Sequence, residues 1–214
     1  MKTLVYTSIF GGYDKLLDPK NIETEFDYKV YSDTKYNSAV WKSNIIKPAF
    51  DSTRNARYIK TQMINIDDSY DYYIWIDGCI TVTGDLKKYF DIMGNKEGLF
   101  VSHPSRDCIY NEIHACAAMN KDRVDVMQNQ INKYKKQSFP NNYGLAETNF
   151  FILKNTKTNK QFVKYWFSEI LQHSKRDQLS FPVALKKFNL KDKFVFISPS
   201  QRNEEMIWDN RTHN

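Results

Sequence analysis

The sequence predicts an α/β protein in which a mixed, mostly parallel sheet is flanked by helices. Short apolar runs rich in β-branched and aromatic residues alternate with longer segments of helical periodicity, the order expected when helices connect parallel strands. The 214 residues fit a single domain with a sizeable core. Only 7 glycines and 6 prolines are present, so extended disorder is not expected.

Four strands and one helix are predicted in the first half of the chain. The strands are Thr3–Phe10, Asp27–Tyr31, Tyr72–Ile76 and Ile80–Val82. Tyr72–Ile76 is apolar at every position, as in a strand that is buried on both faces. A helix is predicted over Asp51–Ile64, because Asp51 or Ser52 provides an N-cap and apolar residues follow at helical spacing.

The second half continues the alternation of strands and helices. The predicted strands are Leu99–Ser102, Thr148–Leu153 and Phe194–Ile197, and the predicted helices are Ile109–Met119, Asp122–Lys136, Asn159–Gln172 and Arg176–Phe188. The last helix is predicted despite Pro182, and Asn141–Gly144 is predicted to be a loop. The final residues, EEMIWDNRTHN, show no closing element, which suggests one domain of a longer protein.

Charge and cysteine content restrict the possible partners and compartment. The net charge is +6, but the lysines are scattered, so we expect an anionic small ligand rather than nucleic acid. Cys79, Cys108 and Cys116 are odd in number and lack metal-type spacing, which favours free thiols in a reducing compartment. No signal peptide or membrane span is visible. A soluble, cytoplasmic protein is therefore expected.

Asp77 is the strongest candidate for a functional residue. It follows the apolar run YYIWI directly, so a carboxylate emerges where a buried strand ends, and Gly78 permits close approach of a ligand. Ligands of open parallel sheets bind at this end of the strands, and carboxylates bind Mg²⁺ or Mn²⁺ there. The alternative is a structural one, because Asp-Gly is also a common hairpin turn.

Basic residues on the first predicted helix are candidates for binding a diphosphate. Arg54, Arg57 and Lys60 follow one another at three-residue intervals, so they lie on one side of the helix. Arginine binds phosphate oxygens in bidentate fashion. A solvated basic helix face explains the same pattern, and taken alone it is the simpler interpretation.

Polar residues at the ends of the first two strands are candidates for nucleotide contacts. Asp33 follows the second strand and is suited to accept hydrogen bonds from a base or ribose. Thr7 and Ser8 lie near the end of the first strand and are placed to meet the same ligand. An ordinary turn carboxylate is the alternative interpretation of Asp33.

Three carboxylates are candidates for a general base. Asp107 and Asp177 each follow an arginine, and Glu147 precedes a predicted strand. Either aspartate is equally well explained as a helix cap. His103 and His213 are weak candidates for metal ligands, because a lone histidine is more often part of a polar surface.

Seven segments together resemble a known family. The segments are VYTSIFGGYD, FDYKVYSDT, RNARYIK, YYIWIDGCI, HPSRDCIYNE, GLAETNFFIL and SKRDQLSFPVAL, and they span residues 5–185. In this order they are similar to nucleotide-sugar-dependent transferases with a GT-A fold, and in particular to a plant, bacterial and viral group of glycosyltransferase-like domains. Each segment alone is weakly specific, whereas the ordered set is specific.

The resemblance implies roles for several residues. It implies a GT-A fold, with nucleotide binding in about residues 1–100 and acceptor binding in about residues 101–214. By position, Thr7 and Asp33 resemble base and ribose contacts, and Arg57 and Lys60 resemble diphosphate contacts. Asp77 resembles the first acid of the metal-binding Asp-x-Asp motif. The second acid is replaced by Cys79, a poor ligand for Mg²⁺ and an imperfect one for Mn²⁺.

The function that the resemblance implies is transfer of a hexose or deoxyhexose. The expected donor is a UDP-sugar held with Mn²⁺ or Mg²⁺ by Asp77 and Cys79, and the expected acceptor is a glycan or glycoprotein. For an inverting reaction, Asp177 is the first choice of base, ahead of Asp107 and Glu147. The residues expected to contact the donor or acceptor sugar are Arg106, Asp107 and Gln178. A nucleotidyltransferase and a non-catalytic sugar- or nucleotide-binding module are the alternatives.

Overall fold

A seven-stranded sheet forms the centre of the protein, and the computed structural model describes residues 1–208. The strands of the described part are β1 (Thr3–Ile9), β2 (Phe26–Ser32), β3 (Lys42–Ile45), β4 (Tyr72–Ile76), β5 (Ile80–Val82), β6 (Gly98–Ser102), β7 (Ala146–Lys154), β8 (Phe194–Ile197) and β9 (Met206–Trp208). The large sheet has the order β3-β2-β1-β4-β7-β6-β8, while β5 and β9 form a separate antiparallel pair. Within the large sheet β7 runs antiparallel to both neighbours, and the other pairs are parallel.

Helices cover both faces of this sheet. In the described residues they are α1 (Ser52–Ile66), α2 (Lys88–Met93), α3 (Ile109–Ala118), α4 (Val124–Lys136), α5 (Lys157–Gln172), α6 (Asp177–Lys187) and α7 (Pro199–Asn203). A short 3₁₀ turn, Lys191–Lys193, precedes β8. The predicted α/β class with a mostly parallel sheet in one domain is therefore confirmed. None of the helices within residues 1–208 combines the length and the apolar character needed to cross a bilayer.

Alternation along the central strands divides their side chains between two cores. In β4, Tyr73 and Trp75 point to the core under α1, α5 and α6, whereas Ile74 and Ile76 point to the core under α2, β5 and β9. All four are at most 1% exposed. This double burial is the reason for the unbroken apolar run in the sequence, because both faces of the strand are covered from Tyr73 to Ile76. A smaller cluster joins α3 and α4 to α6.

The predicted elements are present, with ends that differ by no more than one or two residues. Four short elements were not predicted: β3, α2, α7 and β9. β3 is an edge strand of sequence KSNI without a buried side chain, so it has almost no apolar pattern to recognise. β9 contradicts the expectation that the final residues contain no closing element, because Met206 pairs with Val82 of β5. His213 lies outside the described residues.

The antiparallel strand β7 brings its beginning to the edge where β1 and β4 end. The register pairs Ile76 of β4 with Phe150 of β7, and the backbone amide of Asp77 donates to the carbonyl of Asn149 at 2.8 Å. Polar residues at the start of β7 therefore lie beside those that follow β4. This edge is where ligands bind in open parallel sheets.

The N-cap of α1 offers a test of how that helix is fixed. The Asp51 side chain accepts from the Arg54 amide at 3.0 Å, so Asp51→Ala should lower the free energy of unfolding by about 1 kcal/mol. Urea denaturation measures this change. Asp68→Ala is the control, because Asp68 is exposed and its ion pair with Lys160 lies at the surface, so its change should stay below about 0.5 kcal/mol. Equal losses for the two variants would contradict the capping role.

Candidate active site

A cavity of about 630 Å³ lies at the edge of the sheet where β1 and β4 end. Its size falls in the range that proteins use for small ligands. On the first-half side it is lined by five of the predicted site residues, namely Ser8, Arg57, Asp77, Gly78 and Cys79. On the second-half side it is lined by Arg106, Glu147, Asp177 and Gln178. The sheet thus brings together residues that lie far apart in the sequence.

A buried lysine, Lys60, joins two aspartates at the floor of this cavity. Lys60 is 1% exposed, and its Nζ lies 2.7 Å from Oδ2 of Asp177 and 3.4 Å from Oδ1 of Asp77. Nζ also donates to Oγ1 of Thr148 at 3.1 Å. Burial lowers the pKa of Lys60, while the two carboxylates oppose that effect. Lys60 therefore lies beneath the cavity surface and pairs with the two acids that line it.

Asp77 presents its carboxylate to the cavity. Oδ1 accepts from Nε1 of Trp75 at 2.7 Å, and a quarter of the side chain (25%) remains exposed. The amide of Ile80 donates to the carbonyl of Asp77 at 2.9 Å, so a turn does follow β4. This turn is not the hairpin considered from sequence, because β4 pairs with β1 and β7 whereas β5 pairs with β9.

Asp177 is enclosed at the start of α6. It is 1% exposed, and its Oδ2 accepts from Oγ1 of Thr148 at 2.8 Å and lies 3.3 Å from Nε of Arg57. Its backbone carbonyl accepts from Nε1 of Trp166 at 3.0 Å. These contacts fix the carboxylate between α1, α5 and β7. Asp177 is the first residue of the helix and not its N-cap, which is Arg176.

The charges around Asp177 determine its ionisation. Burial by itself raises the pKa of Asp177, but Arg57, Lys60 and Arg176 together hold it well below the usual range. The carboxylate therefore stays ionised and accepts protons poorly. A base role for Asp177 remains a prediction, and these surroundings favour a role in positioning Lys60 and Arg57.

Besides Lys60, which lies beneath the surface, three of the predicted site residues do not line the cavity: Thr7, Asp33 and Asp107. Thr7 is 1% exposed within β1. Successive side chains of a strand point to opposite faces of the sheet, and here Ser8 lines the cavity whereas Thr7 does not. Asp33 uses Oδ2 to accept from the amide of Gly11 at 2.9 Å, which holds the turn after β1. Asp107 is exposed to solvent outside the cavity. Nucleotide contacts by Thr7 and Asp33 stay predictions, and the placement of Asp107 argues against its predicted roles as base and sugar contact.

The side of the cavity formed by the second half of the chain consists largely of paired charges. Nε of Arg106 lies 2.5 Å from Oε2 of Glu112, and Oε2 of Glu147 accepts from Nη1 of Arg202 at 2.7 Å. Burial lowers the pKa of His103, whose Nδ1 accepts from the amide of Arg106 at 3.0 Å. Nδ1 of His103 contacts the backbone and Nε2 contacts Nη2 of Arg106, so His103 holds the loop that carries Arg106. These contacts argue against the predicted role of His103 as a metal ligand.

Several residues that line or support the cavity were not predicted from the sequence. Asp14, Thr148, Arg176 and Glu112 line it, and Trp75 bonds to Asp77. Asp14, Thr148 and Arg176 lie within quoted segments, VYTSIFGGYD, GLAETNFFIL and SKRDQLSFPVAL, so a signal was available. Glu112 closes the segment HPSRDCIYNE, where only the Arg-Asp pair had been considered.

The donor groups fit a hard divalent cation that is bound together with phosphate. No cluster of three or more histidine, cysteine or acidic side chains is arranged for a metal within the part of the chain that the structure describes. Mg²⁺ sites commonly use only one or two carboxylates and complete their shell with substrate phosphates and water. Asp77 offers such a carboxylate. Cys79 is 5% exposed and has a soft ligand atom, so it suits this cation poorly.

Comparison with protein families identifies the type of domain. Residues 28–213 match the model of the TOD1/MUCI70 glycosyltransferase-like domain. The chain belongs to this family. No similar sequence is found among curated proteins. The family assignment confirms the resemblance seen in the seven sequence segments.

Solved glycosyltransferase structures resemble this TOD1/MUCI70 domain. The bifunctional enzyme WbbM matches 91% of this chain and 38% of its own, with 13% identity and a TM-score of 0.52. The mannosyltransferase Ktr4p of S. cerevisiae matches 80% of this chain and 60% of its own, with 13% identity and a TM-score of 0.47. GlyE of Streptococcus pneumoniae TIGR4 matches 94% of this chain and 46% of its own, with 11% identity and a TM-score of 0.46. At this identity the WbbM match shows a shared fold.

The ion pairs of Asp177 predict a pH-dependent contribution to stability. Asp177→Asn removes the carboxylate nearest to the buried Lys60 and the ion-pair partner of Arg57, so we expect the free energy of unfolding to fall by about 3 to 5 kcal/mol. Because folding lowers the pKa of Asp177, the stabilisation is complete above the unfolded-state pKa of about 3.9 and is lost as the pH falls further.

Urea denaturation at a series of pH values tests this expectation. The difference between wild type and Asp177→Asn should be constant near neutral pH and should shrink below about pH 4. Asp91→Asn removes a carboxylate from the exposed side of α2 and serves as the control, with a change below about 0.5 kcal/mol. A difference that grows on acidification would show that Asp177 is not held as an ion.

Proposed function

We propose that this domain is a hexosyltransferase that moves a hexose or deoxyhexose from a UDP-sugar to a glycan or glycoprotein acceptor. The observation that carries the proposal is the ionic cluster of Asp77, Lys60, Asp177 and Arg57 on the floor of the cavity. It lies where parallel sheets bind nucleotides, in a domain of a glycosyltransferase-like family. The proposal also includes a cytoplasmic location, which suits three free, buried cysteines.

The donor diphosphate is proposed to bind between Arg57 and Asp77. Mn²⁺ or Mg²⁺, held by Asp77, would supply positive charge for the leaving diphosphate. Arg57 lines the cavity and presents a planar set of donors that matches phosphate oxygens. Burial lowers the pKa of Arg57, but the negative charges of Asp177 and Asp77 raise it by a larger amount. The net shift is upward, so the guanidinium is charged. Lys60 holds Asp77 from below and keeps the carboxylate in place.

The acceptor is proposed to enter from the side of Arg106 and Gln178, which line the second half of the cavity. Inverting transfer needs a carboxylate that accepts the proton of the acceptor hydroxyl. Among the three predicted bases, Asp107 lies outside the cavity and Asp177 is held as an ion by its cationic neighbours. Glu147 lines the cavity and is oriented by Arg202, so we propose Glu147 as the base of an inverting reaction.

A non-catalytic nucleotide-sugar or glycan-binding module is the second candidate. Cys79 favours it, because this residue stands where the Asp-x-Asp motif has its second acid. The experiment that separates the two is a thermal-shift and turnover screen of nucleotide sugars with and without Mn²⁺. A transferase should be stabilised by UDP and should release UDP from a UDP-sugar when acceptor is added. Binding without any turnover would favour the module, and absence of both would remove the proposed function.

Substitution of Asp77 tests the metal-assisted donor site. Asp77→Ala should lower Mn²⁺-dependent release of UDP by at least about 100-fold, because the leaving diphosphate loses its bound cation. UDP release by a coupled assay measures the change. Asp91→Ala is the control and should retain wild-type turnover, since Asp91 is exposed on α2. Full Mn²⁺-dependent activity in Asp77→Ala would contradict the assignment.

Substitution of Glu147 tests the proposed base. Glu147→Gln keeps the size of the side chain but removes its basicity, so we expect kcat to fall by about 100-fold or more while the Kd for UDP stays unchanged. Calorimetry gives the Kd, and NMR of the product gives the anomeric configuration. Glu204→Gln, at an exposed position, is the control. Retained configuration in the product would remove the need for a base and would contradict this role.

A further inference from the structure

We propose that Asp14 supplies the second carboxylate for the divalent cation, in place of the acid that the sequence lacks at Cys79. The inference rests on the proposed function and names a further residue of the same donor site. Asp14 lies in the loop after β1, far in sequence from the motif that follows β4. Both loops begin at the same edge of the sheet, because β1 and β4 are parallel neighbours.

The side chain of Asp14 lies directly against Gly78. A Cβ atom built on Gly78 would be 2.9 Å from Oδ2 of Asp14 and 3.2 Å from its Cβ. The first distance is shorter than Cβ contacts in proteins allow, so any side chain at position 78 would displace the Asp14 carboxylate. Gly78 therefore keeps open the space that Asp14 occupies. Its chain neighbour is Asp77, and both carboxylates line the same cavity.

The carboxylates of Asp14 and Asp77 also both interact with the guanidinium of Arg57. The negative charges of Asp177, Asp77 and Asp14 each raise the pKa of Arg57, against the lowering effect of its burial. Arg57 is therefore within electrostatic range of Asp14 as well as of Asp77. A diphosphate that pairs with Arg57 would meet both carboxylates, and a cation between them would reduce their repulsion of the phosphates.

The loop that carries Asp14 is held in a defined conformation. Gly11 and Gly12 have φ angles of +66° and +62°, a conformation that glycine adopts without strain, and this turn redirects the chain after β1. The carbonyl of Asp14 accepts from the Tyr36 hydroxyl at 3.3 Å, and Asp33 holds the amide of Gly11. The carboxylate is thus positioned by its backbone, as a metal ligand requires.

The chemistry of the available atoms favours Asp14 over Cys79. Mg²⁺ and Mn²⁺ prefer oxygen ligands, and a pair of carboxylates with phosphate oxygens and water forms a complete shell for them. The Cys79 side chain is buried and would offer sulfur. Asp77 contributes a carboxylate whose contacts with Trp75 and Lys60 are made by Oδ1. Asp14 and Asp77 therefore restore the two-acid composition of the motif from two separate loops.

Direct measurement of Mn²⁺ binding tests this assignment without reference to turnover. Electron paramagnetic resonance reports free Mn²⁺ in titrations of the protein with UDP present. Asp14→Asn, which preserves the shape of the side chain, should weaken Mn²⁺ binding by at least about 10-fold. The Asp91→Asn variant should bind Mn²⁺ as the wild type does. UDP binding in the presence of EDTA should not weaken in Asp14→Asn, because the substitution removes a negative charge near Arg57 and leaves the proposed diphosphate contacts in place.

A second measurement on the wild-type protein makes the test independent of the variant. In the UDP complex, substoichiometric Mn²⁺ should broaden the amide resonances of both Gly12 and Gly78, which flank the two carboxylates. Unchanged Mn²⁺ affinity in Asp14→Asn, with loss in Asp77→Asn, would overturn the role of Asp14 and leave the proposed function intact. Broadening at Gly78 without Gly12 would also overturn it. A wild-type protein that binds no UDP, with or without Mn²⁺, would instead remove the proposed function itself.

Discussion

The ammonium group of Lys60, buried between Asp77 and Asp177, is the interaction on which the rest of the site depends. A charge that is 1% exposed is tolerated only when it is paired and hydrogen-bonded. Here the pairing joins α1, which carries Lys60, to the end of β4 and to the start of α6, and Thr148 adds β7. Four elements are therefore fixed relative to one another at the point where the cavity opens. The aromatic core beneath the cluster adds rigidity, since Trp75 and Trp166 each use their indole N–H to hold one of the two aspartates.

The sequence predicts most of the fold because each long element has a clear local pattern. β4 is apolar throughout because both of its faces are buried, and α1 begins at a residue whose side chain caps it. The elements that were missed depend on tertiary contacts and not on local pattern. β9 forms because Met206–Trp208 pairs with β5, which lies more than a hundred residues earlier in the chain. β3 is an exposed edge strand that is held by its pairing with β2. No local composition encodes either pairing.

The candidate site shows the same division between local and tertiary information. Asp77 and Arg57 were recognised because a carboxylate after a buried strand and a basic helix face are local signals, and both line the cavity. The environment of Asp177 was not predictable in this way. Its neighbours Arg57 and Lys60 come from α1, and their charges, together with that of the adjacent Arg176, hold its pKa well below the usual range. Whether a carboxylate is a base or a structural ion depends on such neighbours, which spacing along the chain does not specify.

The charge balance of the cluster gives a physical reason for a cation in the proposed reaction. Lys60 and Arg57 contribute two positive charges, and Asp77 and Asp177 contribute two negative ones, so the floor of the cavity is close to neutral before a donor binds. A departing nucleoside diphosphate is strongly anionic, and a neutral floor stabilises it little. The missing charge must come from a cation held by the remaining carboxylates, or from lysines at the rim such as Lys121 and Lys175. A divalent ion bound to the diphosphate supplies this positive charge at the shortest distance from the leaving phosphate. In the proposed mechanism the metal therefore neutralises the leaving group, and Lys60 positions the Asp77 carboxylate that holds the metal.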